Sequence, residues 1–212
     1  MYALNPEHVK SAFSSGELSD NGEPVQFRTV EIGRVVVTTG HLAVGDPFID
    51  PEQHPFTQKV PNGEHPVSLA VARFKSLDER VAFARVKLSD EPAVRWEMAL
   101  CAGQDAATLK PKQFFGFGVD SGTGAFMDPR AGELLAQKMD EDEDYFELMV
   151  EQMQETYDYT RSWLDCRPYP EYAENVVCFS TGWGDGTYPS FFGFSADGSP
   201  CELLTDCLLL KA

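Results

Sequence analysis

Positive charge is the scarcest ingredient of this sequence: 17 lysines and arginines stand against 34 aspartates and glutamates, a formal net charge of −17. A field of that sign repels nucleic-acid phosphates and anionic membrane surfaces, so neither is expected as a partner. Cysteines are few and unpatterned. The five (Cys101, Cys166, Cys178, Cys201 and Cys207) include no Cys-x-x-Cys pair, and none lies near a histidine at metal spacing, which argues against a zinc site. Cys178 and Cys207 sit in apolar runs and read as small buried hydrophobes. No apolar run approaches the roughly 20 residues that span a bilayer. The first six residues carry no basic segment leading into an apolar one, so a cytoplasmic, reduced setting is expected. Nucleotide signatures are missing too: there is no phosphate loop ending in Gly-Lys-Ser/Thr, and Gly122-Thr123-Gly124 lacks the third glycine of a dinucleotide site. Without a nucleophile elbow, the sequence gives no support to an ATPase, dehydrogenase or serine hydrolase.

What is present suffices for a folded core. With 15 Phe, 7 Tyr and 3 Trp in 212 residues, one domain spanning 1–212 is expected, an extension over 1–24 preceding a core over 25–212. Pro6 to Phe13 suits a short helix, and Ser11 to Glu23 then reads as loop. Val25, Phe27, Thr29 and Val35-Val36-Val37 predict two strands or one bent strand, with Gly33 as the turn or bulge. Five prolines between Pro47 and Pro66 predict a long surface loop. Strands are expected over 66–74, 80–88, 94–100 and 114–119. Asp128-Pro129 is the start signal of a helix. Beyond it, Tyr145, Met149, Met153 and Tyr157 form one apolar stripe from 140 to 163, with the acidic run Asp140–Asp144 at the positive end of the dipole. Strands over 175–179, 188–195 and 202–210 close the chain, the last two as a hairpin turning at Ala196-Asp197-Gly198. The class is therefore α+β: a mainly antiparallel sheet with one helical segment, about 129–164, inserted before a C-terminal β-hairpin.

Three segments set an aspartate among glycines: Gly40-His41-Leu42-Ala43-Val44-Gly45-Asp46-Pro47, Gly116-Phe117-Gly118-Val119-Asp120-Ser121-Gly122-Thr123-Gly124, and Gly182-Trp183-Gly184-Asp185-Gly186-Thr187. Glycine lets backbone groups approach a ligand closely. If the turns converge, Asp120, Asp128 and Asp185 supply the oxygen ligands that Ca²⁺ or Mg²⁺ prefers. Asp46, Ser121, Thr123, Trp183 and Thr187 would line the same site. Crowded carboxylates also raise a pKa, which makes Asp120 and Asp185 candidate catalytic acids with His41 as a base partnered by Asp46. Against this stands the plain alternative that each Asp is a turn residue bonding its own backbone. Trp183 reads as a core plug ahead of an exposed stacking platform. Arg95 and Glu97 share a strand face opposite Trp96 and predict a surface ion pair over a buried indole.

Four motifs in order, Gly40-His41-Leu42 with Asp46-Pro47, Arg95-Trp96-Glu97-Met98-Ala99-Leu100, Val119-Asp120-Ser121-Gly122-Thr123-Gly124 and Gly182-Trp183-Gly184-Asp185-Gly186, resemble a bacterial family catalogued only as domain of unknown function 4241. The likeness runs over roughly residues 25 to 210 and implies no activity or cofactor. Locally, Val119-Asp120-Ser121-Gly122-Thr123 resembles the active turn of aspartic proteases, where two carboxylates share a proton. Asp185 is the only second member on offer, and it lacks a Ser or Thr before its glycine, while no apolar-apolar-Gly segment is placed after Asp120. Two functions are thus expected: a ligand- or divalent-cation-binding protein, with hydrolysis as its extension, or a non-enzymatic acidic interaction protein, inhibitor- or immunity-like, that binds a basic protein.

Overall fold

β-Branched and aromatic residues from position 23 onward build the longest strand of the molecule. The computed structural model describes residues 1–14, 16–76 and 78–210. It opens with α1 (Pro6–Phe13), where the Asn5 side chain accepts from the Glu7 N–H as N-cap. β1 (Glu17–Asp20) and β2 (Glu23–Val37) follow as an antiparallel pair, and β2 remains one strand because a bulge between Glu31 and Gly33 bends it. The chain continues through β3 (Ala43–Gly45), β4 (Gly63–Arg73), β5 (Glu79–Lys87), β6 (Arg95–Met98), β7 (Phe117–Val119) and β8 (Thr123–Met127). Then come α2 (Pro129–Glu141), α3 (Tyr145–Glu155), β9 (Trp163–Cys166), β10 (Val176–Ser180), β11 (Gly186–Tyr188), β12 (Ser190–Phe194) and β13 (Pro200–Asp206).

Seven strands form a large antiparallel sheet in the order β1-β2-β4-β5-β13-β12-β6, four form a second in the order β3-β8-β10-β9, and β7 with β11 makes a two-stranded ribbon. The second sheet is packed on both faces. Along β10, Val177 and Phe179 join the main core of the large sheet, whereas Val176 and Cys178 join a separate cluster with Leu135, Tyr145, Met149 and Met153 of the helices. This mainly antiparallel α+β architecture is the expected class. Among the described residues no helix is long and apolar enough to cross a membrane.

Several boundaries differ from expectation. The helical segment does not run to 164: it is two helices, the second ending at Glu155, and Trp163–Cys166 is an edge strand paired with β10. The acidic run straddles the break between the helices, with Asp142 as C-cap of α2 and Asp144 as an N-cap of α3 without a side-chain bond. Tyr145, Met149 and Met153 are buried as the stripe requires, but Tyr157 lies beyond the helix and is exposed. The proline-rich loop stops at Asn62. His65-Pro66 belongs to β4, where β5 pairs only from Val67 onward, so the proline faces no missing ladder bond on that side. β3, β8 and β11 replace stretches read as loop or as part of a longer strand. Pro189 separates β11, which pairs with β7, from β12, which pairs with β13.

The two ends of the chain meet at one buried carboxylate. Asp206 accepts from the Tyr2 hydroxyl (2.8 Å) and the Leu208 N–H (2.8 Å). Burial pushes its pKa from 3.8 up to about 6, with the two hydrogen bonds opposing the rise. A folded-state pKa above the unfolded one means that this group favours folding below about pH 4, and that the contribution is lost as pH rises through about 6. The shift corresponds to about 3 kcal/mol at neutral pH. Asp206→Asn, whose amide can donate to the Tyr2 oxygen, is expected to match or exceed wild-type stability at pH 8. It should also remove part of the stability change between pH 4 and 7, read from urea midpoints across that range; equal pH profiles for the two proteins would refute the assignment.

Candidate functional site

Two of the glycine-aspartate turns are joined by the aspartate of the first, which acts as a clamp on the second. Asp46, buried at the end of β3, accepts at Oδ2 from the Asp120 N–H (2.9 Å) and the Ser121 N–H (2.8 Å). At Oδ1 it accepts from the Ser121 hydroxyl (2.7 Å) and the Phe48 N–H (3.0 Å). Four donors occupy this carboxylate, so a cation would have to displace them. Asp128 is used in the same way elsewhere. Fully buried, it accepts at Oδ2 from the Thr38 and Thr39 N–H groups (both 2.8 Å) and the Thr39 hydroxyl (2.9 Å), and at Oδ1 it caps α2 through the Arg130 N–H (2.8 Å). Both residues are the structural turn aspartates of the plain alternative, and each precedes a proline.

The other two turns lie side by side. β7 and β11 pair Val119 with Gly186, Gly118 with Thr187 and Phe117 with Tyr188. One further step in that antiparallel register faces Asp120 with Asp185. The Thr181 N–H donates to the Gly122 carbonyl (3.0 Å), and the Gly184 carbonyl accepts from the Tyr188 hydroxyl (2.7 Å). Gly184 adopts φ +100°, a conformation that L side chains rarely take, and this lets the loop close over Thr181. Asp120, Asp185 and Thr187 are exposed. Neither aspartate carboxylate makes a side-chain hydrogen bond among the described residues.

Trp183 is 59% exposed, so the core-plug reading is corrected. Its flanking glycines carry the ring outward, where it stacks on Phe74 (centroids 6.3 Å apart, 23° between planes) with the Arg80 guanidinium 4.9 Å from the ring centre. Thr123, by contrast, is buried in β8 opposite Ser180. His41 is not a partner of Asp46: its Nδ1 donates to the Phe56 carbonyl (2.9 Å). Asp120, Asp185 and Thr187 thus stand exposed along the β7–β11 ribbon, with Ser121 bonded to the buried Asp46, while the Trp183 ring turns to Phe74 and Arg80. Asp128, Thr123 and His41 do other work. Among the described residues no three His, Cys, Asp or Glu side chains gather to hold a metal ion. The cysteines are unpaired, and burial raises the Cys207 thiol to about 12 and the Cys178 thiol as well, which keeps both protonated and inert.

The acidity is concentrated elsewhere. Residues 129 to 174 carry 13 Asp and Glu against 4 Lys and Arg, so the helical side holds about half of the net charge. Within it α3 exposes Phe146, Leu148 and Val150. Phe146 meets Phe48 edge-on (5.3 Å) beside Ile49, itself 59% exposed. Spacing of four sets Phe146 and Val150 in one row and Glu147 and Glu151 in the next. An apolar patch with a carboxylate border results, which neither the stripe nor the acidic run revealed in sequence because Phe48 and Ile49 come from a distant loop.

A family model described as a protein of unknown function (DUF4241) matches residues 35–205. No curated protein and no solved structure matches the chain.

Proposed function

We propose that this chain, which belongs to the DUF4241 family, is a non-enzymatic protein that binds a basic protein partner through its acidic helical side. The observation that carries the reading is the exposed apolar patch of Phe146, Val150 and Ile49 bordered by Glu147 and Glu151. Contiguous apolar surface with a charged rim is the composition of a docking face, and the field of a −17 chain accelerates encounter with a cation-rich partner. The test uses a synthetic amphipathic helix with lysines on one face and leucines on the other. Binding is expected to weaken as salt rises from about 0.05 to about 0.3 M. Glu147→Lys with Glu151→Lys should reduce affinity by about tenfold and flatten the salt dependence. Glu17→Lys with Glu31→Lys, the same charge change on the β1–β2 pair, should cost far less. Equal losses from both reversals would leave only non-specific attraction and sink the proposal.

A second reading, ligand or Ca²⁺/Mg²⁺ binding with hydrolysis as its extension, is supported by the exposed Asp120 and Asp185, which stand at the adjoining end of the paired strands β7 and β11. The same samples separate the two. A thermal midpoint raised by Ca²⁺ or Mg²⁺ over EDTA and restored by Asp120→Asn would move the function to the loop pair. An unmoved midpoint leaves it with the helical side.

A further inference from the structure

The face of the large sheet that meets α1 carries a cavity of about 560 Å³, within the roughly 300–1,000 Å³ range of small-molecule sites. Strand register builds its floor. Lys87 pairs with Glu202, the Glu202 neighbour on β12 is Gly193, and Gly193 pairs with Trp96 on β6, so these four stand in one row on one face. Arg85 stands two residues along β5 on that face. Gly193 keeps the floor low, because a Cβ there would lie 2.8 Å from the Ala93 Cβ and 2.9 Å from the Glu202 Cγ. α1 supplies one wall through Lys10 and Phe13, and the loop around Asp90 supplies another.

The charges on this floor are incompletely satisfied. Arg85 and Glu202 approach to 3.5 Å, yet the Arg85 Nε and the Glu202 Oε2 are buried without a hydrogen-bond partner. Phe13 covers the guanidinium at 3.8 Å, and Lys87 is held by Asp90 at 2.7 Å. Lys10, exposed at the rim, has no ion pair among the described residues. Burial raises the Glu202 pKa and lowers that of Arg85, the pattern of two ionised groups short of compensation. In a strongly acidic protein, a concave site that offers an unpaired lysine at its rim and, on its floor, a carboxylate held only by a long ion pair, together with two aromatic rings, selects for a ligand bearing both charges.

We infer that this cavity binds a small zwitterion with an apolar body, a free amino acid or dipeptide. Its ammonium meets Glu202, its carboxylate meets Lys10 and the Arg85 guanidinium edge, and its side chain lies against Trp96. Nothing in this site depends on the acidic helical side or on the loop pair.

The experiment is a calorimetric and saturation-transfer NMR titration of the full chain with L-phenylalanine, L-leucine and the dipeptide Phe-Leu, beside their N-acetylated and C-amidated forms. The zwitterions are expected to bind with dissociation constants of about 0.1–1 mM, and each capped form about tenfold more weakly. Lys10→Glu, an exposed change on α1, should weaken the zwitterion by about tenfold while leaving the C-amidated form, a cation, bound no more weakly than before. Glu202→Gln should erase the penalty for N-acetylation, and if that variant does not fold, Lys10→Glu alone carries the decision. No binding by wild type at about 10 mM, or binding indifferent to capping and to Lys10→Glu, overturns the inference.

Discussion

Asp128→Ala is expected to lower the free energy of unfolding by about 3–5 kcal/mol, and Asp128→Asn by about 2–3 kcal/mol, both measured by urea denaturation in the presence of EDTA. The carboxylate has no exposure and four donors: two backbone N–H groups and a hydroxyl from Thr38 and Thr39, and the Arg130 N–H at the start of α2. Alanine removes the helix cap, worth about 1 kcal/mol, and frees three further donors that had a charged acceptor. Asparagine brings one oxygen and one amide. With its oxygen toward Thr38 and Thr39 its NH₂ confronts the Arg130 N–H, and the reverse orientation loses the larger set. Thr39→Val, which removes only the hydroxyl, should cost about 1 kcal/mol. Measuring with EDTA separates this role from metal ligation, since a pure metal ligand would leave the metal-free protein as stable as before. A loss below about 1 kcal/mol for Asp128→Ala would mean that the carboxylate does not hold the turn.

That residue also marks where sequence reasoning reaches its limit. The cap at Asp128-Pro129 was legible because its signal is local, two adjacent residues and the helix they start. Gly33 was legible as a bulge for the same reason. The three donors from Thr38 and Thr39 lie about 90 residues away, and no spacing announces them. Asp46 is the parallel case: its donors at 120 and 121 arrive through the pairing of β3 with β8. Residue type therefore singles out the aspartates, while only the fold reveals which are consumed. β8 was hidden differently. All five residues of Thr123–Met127 are buried, so the strand shows no alternation, and its glycine and threonine imitate the loop before it. The Trp183 expectation fails because the ring's place is set by Phe74, just beyond β4, and Arg80 on β5, both remote in sequence. Arg85 and Glu202 alternate along their strands like surface charges, and the face they occupy becomes a cavity only once α1 is laid beside it.

Glu79→Ala is expected to destabilise the protein by about 3–5 kcal/mol, well beyond the about 1–2 kcal/mol expected for Arg161→Met, although the two residues form one ion pair. Arg161 is 2% exposed and meets the Glu79 Oε2 at 3.0 Å as well as the Asp158 carboxylate. Glu79 is shared: Arg28 reaches it at 3.4 Å and Arg73 at 3.9 Å. Removing the glutamate leaves the buried Arg161 and Arg28 sharing the exposed Asp158 alone and Arg73 with no ion pair among the described residues, whereas removing the arginine leaves Glu79 with two partners. Methionine also fills the volume, and it abolishes a buried Nε that has no hydrogen bond. The double variant Glu79→Gln/Arg161→Met should accordingly recover most of the single loss at Glu79. This network ties the turn before β9 to the start of β5, and the Thr160 hydroxyl donates to the Glu79 carbonyl beside it. β9 borders the helical side, so loosening the tie should speed amide hydrogen exchange over 162–166 before the large sheet opens. It should also weaken capture of the lysine-rich helix without touching Phe146, Val150, Glu147 or Glu151. Uniformly faster exchange across the molecule would instead place Glu79 in the global core and free the helical side from dependence on it.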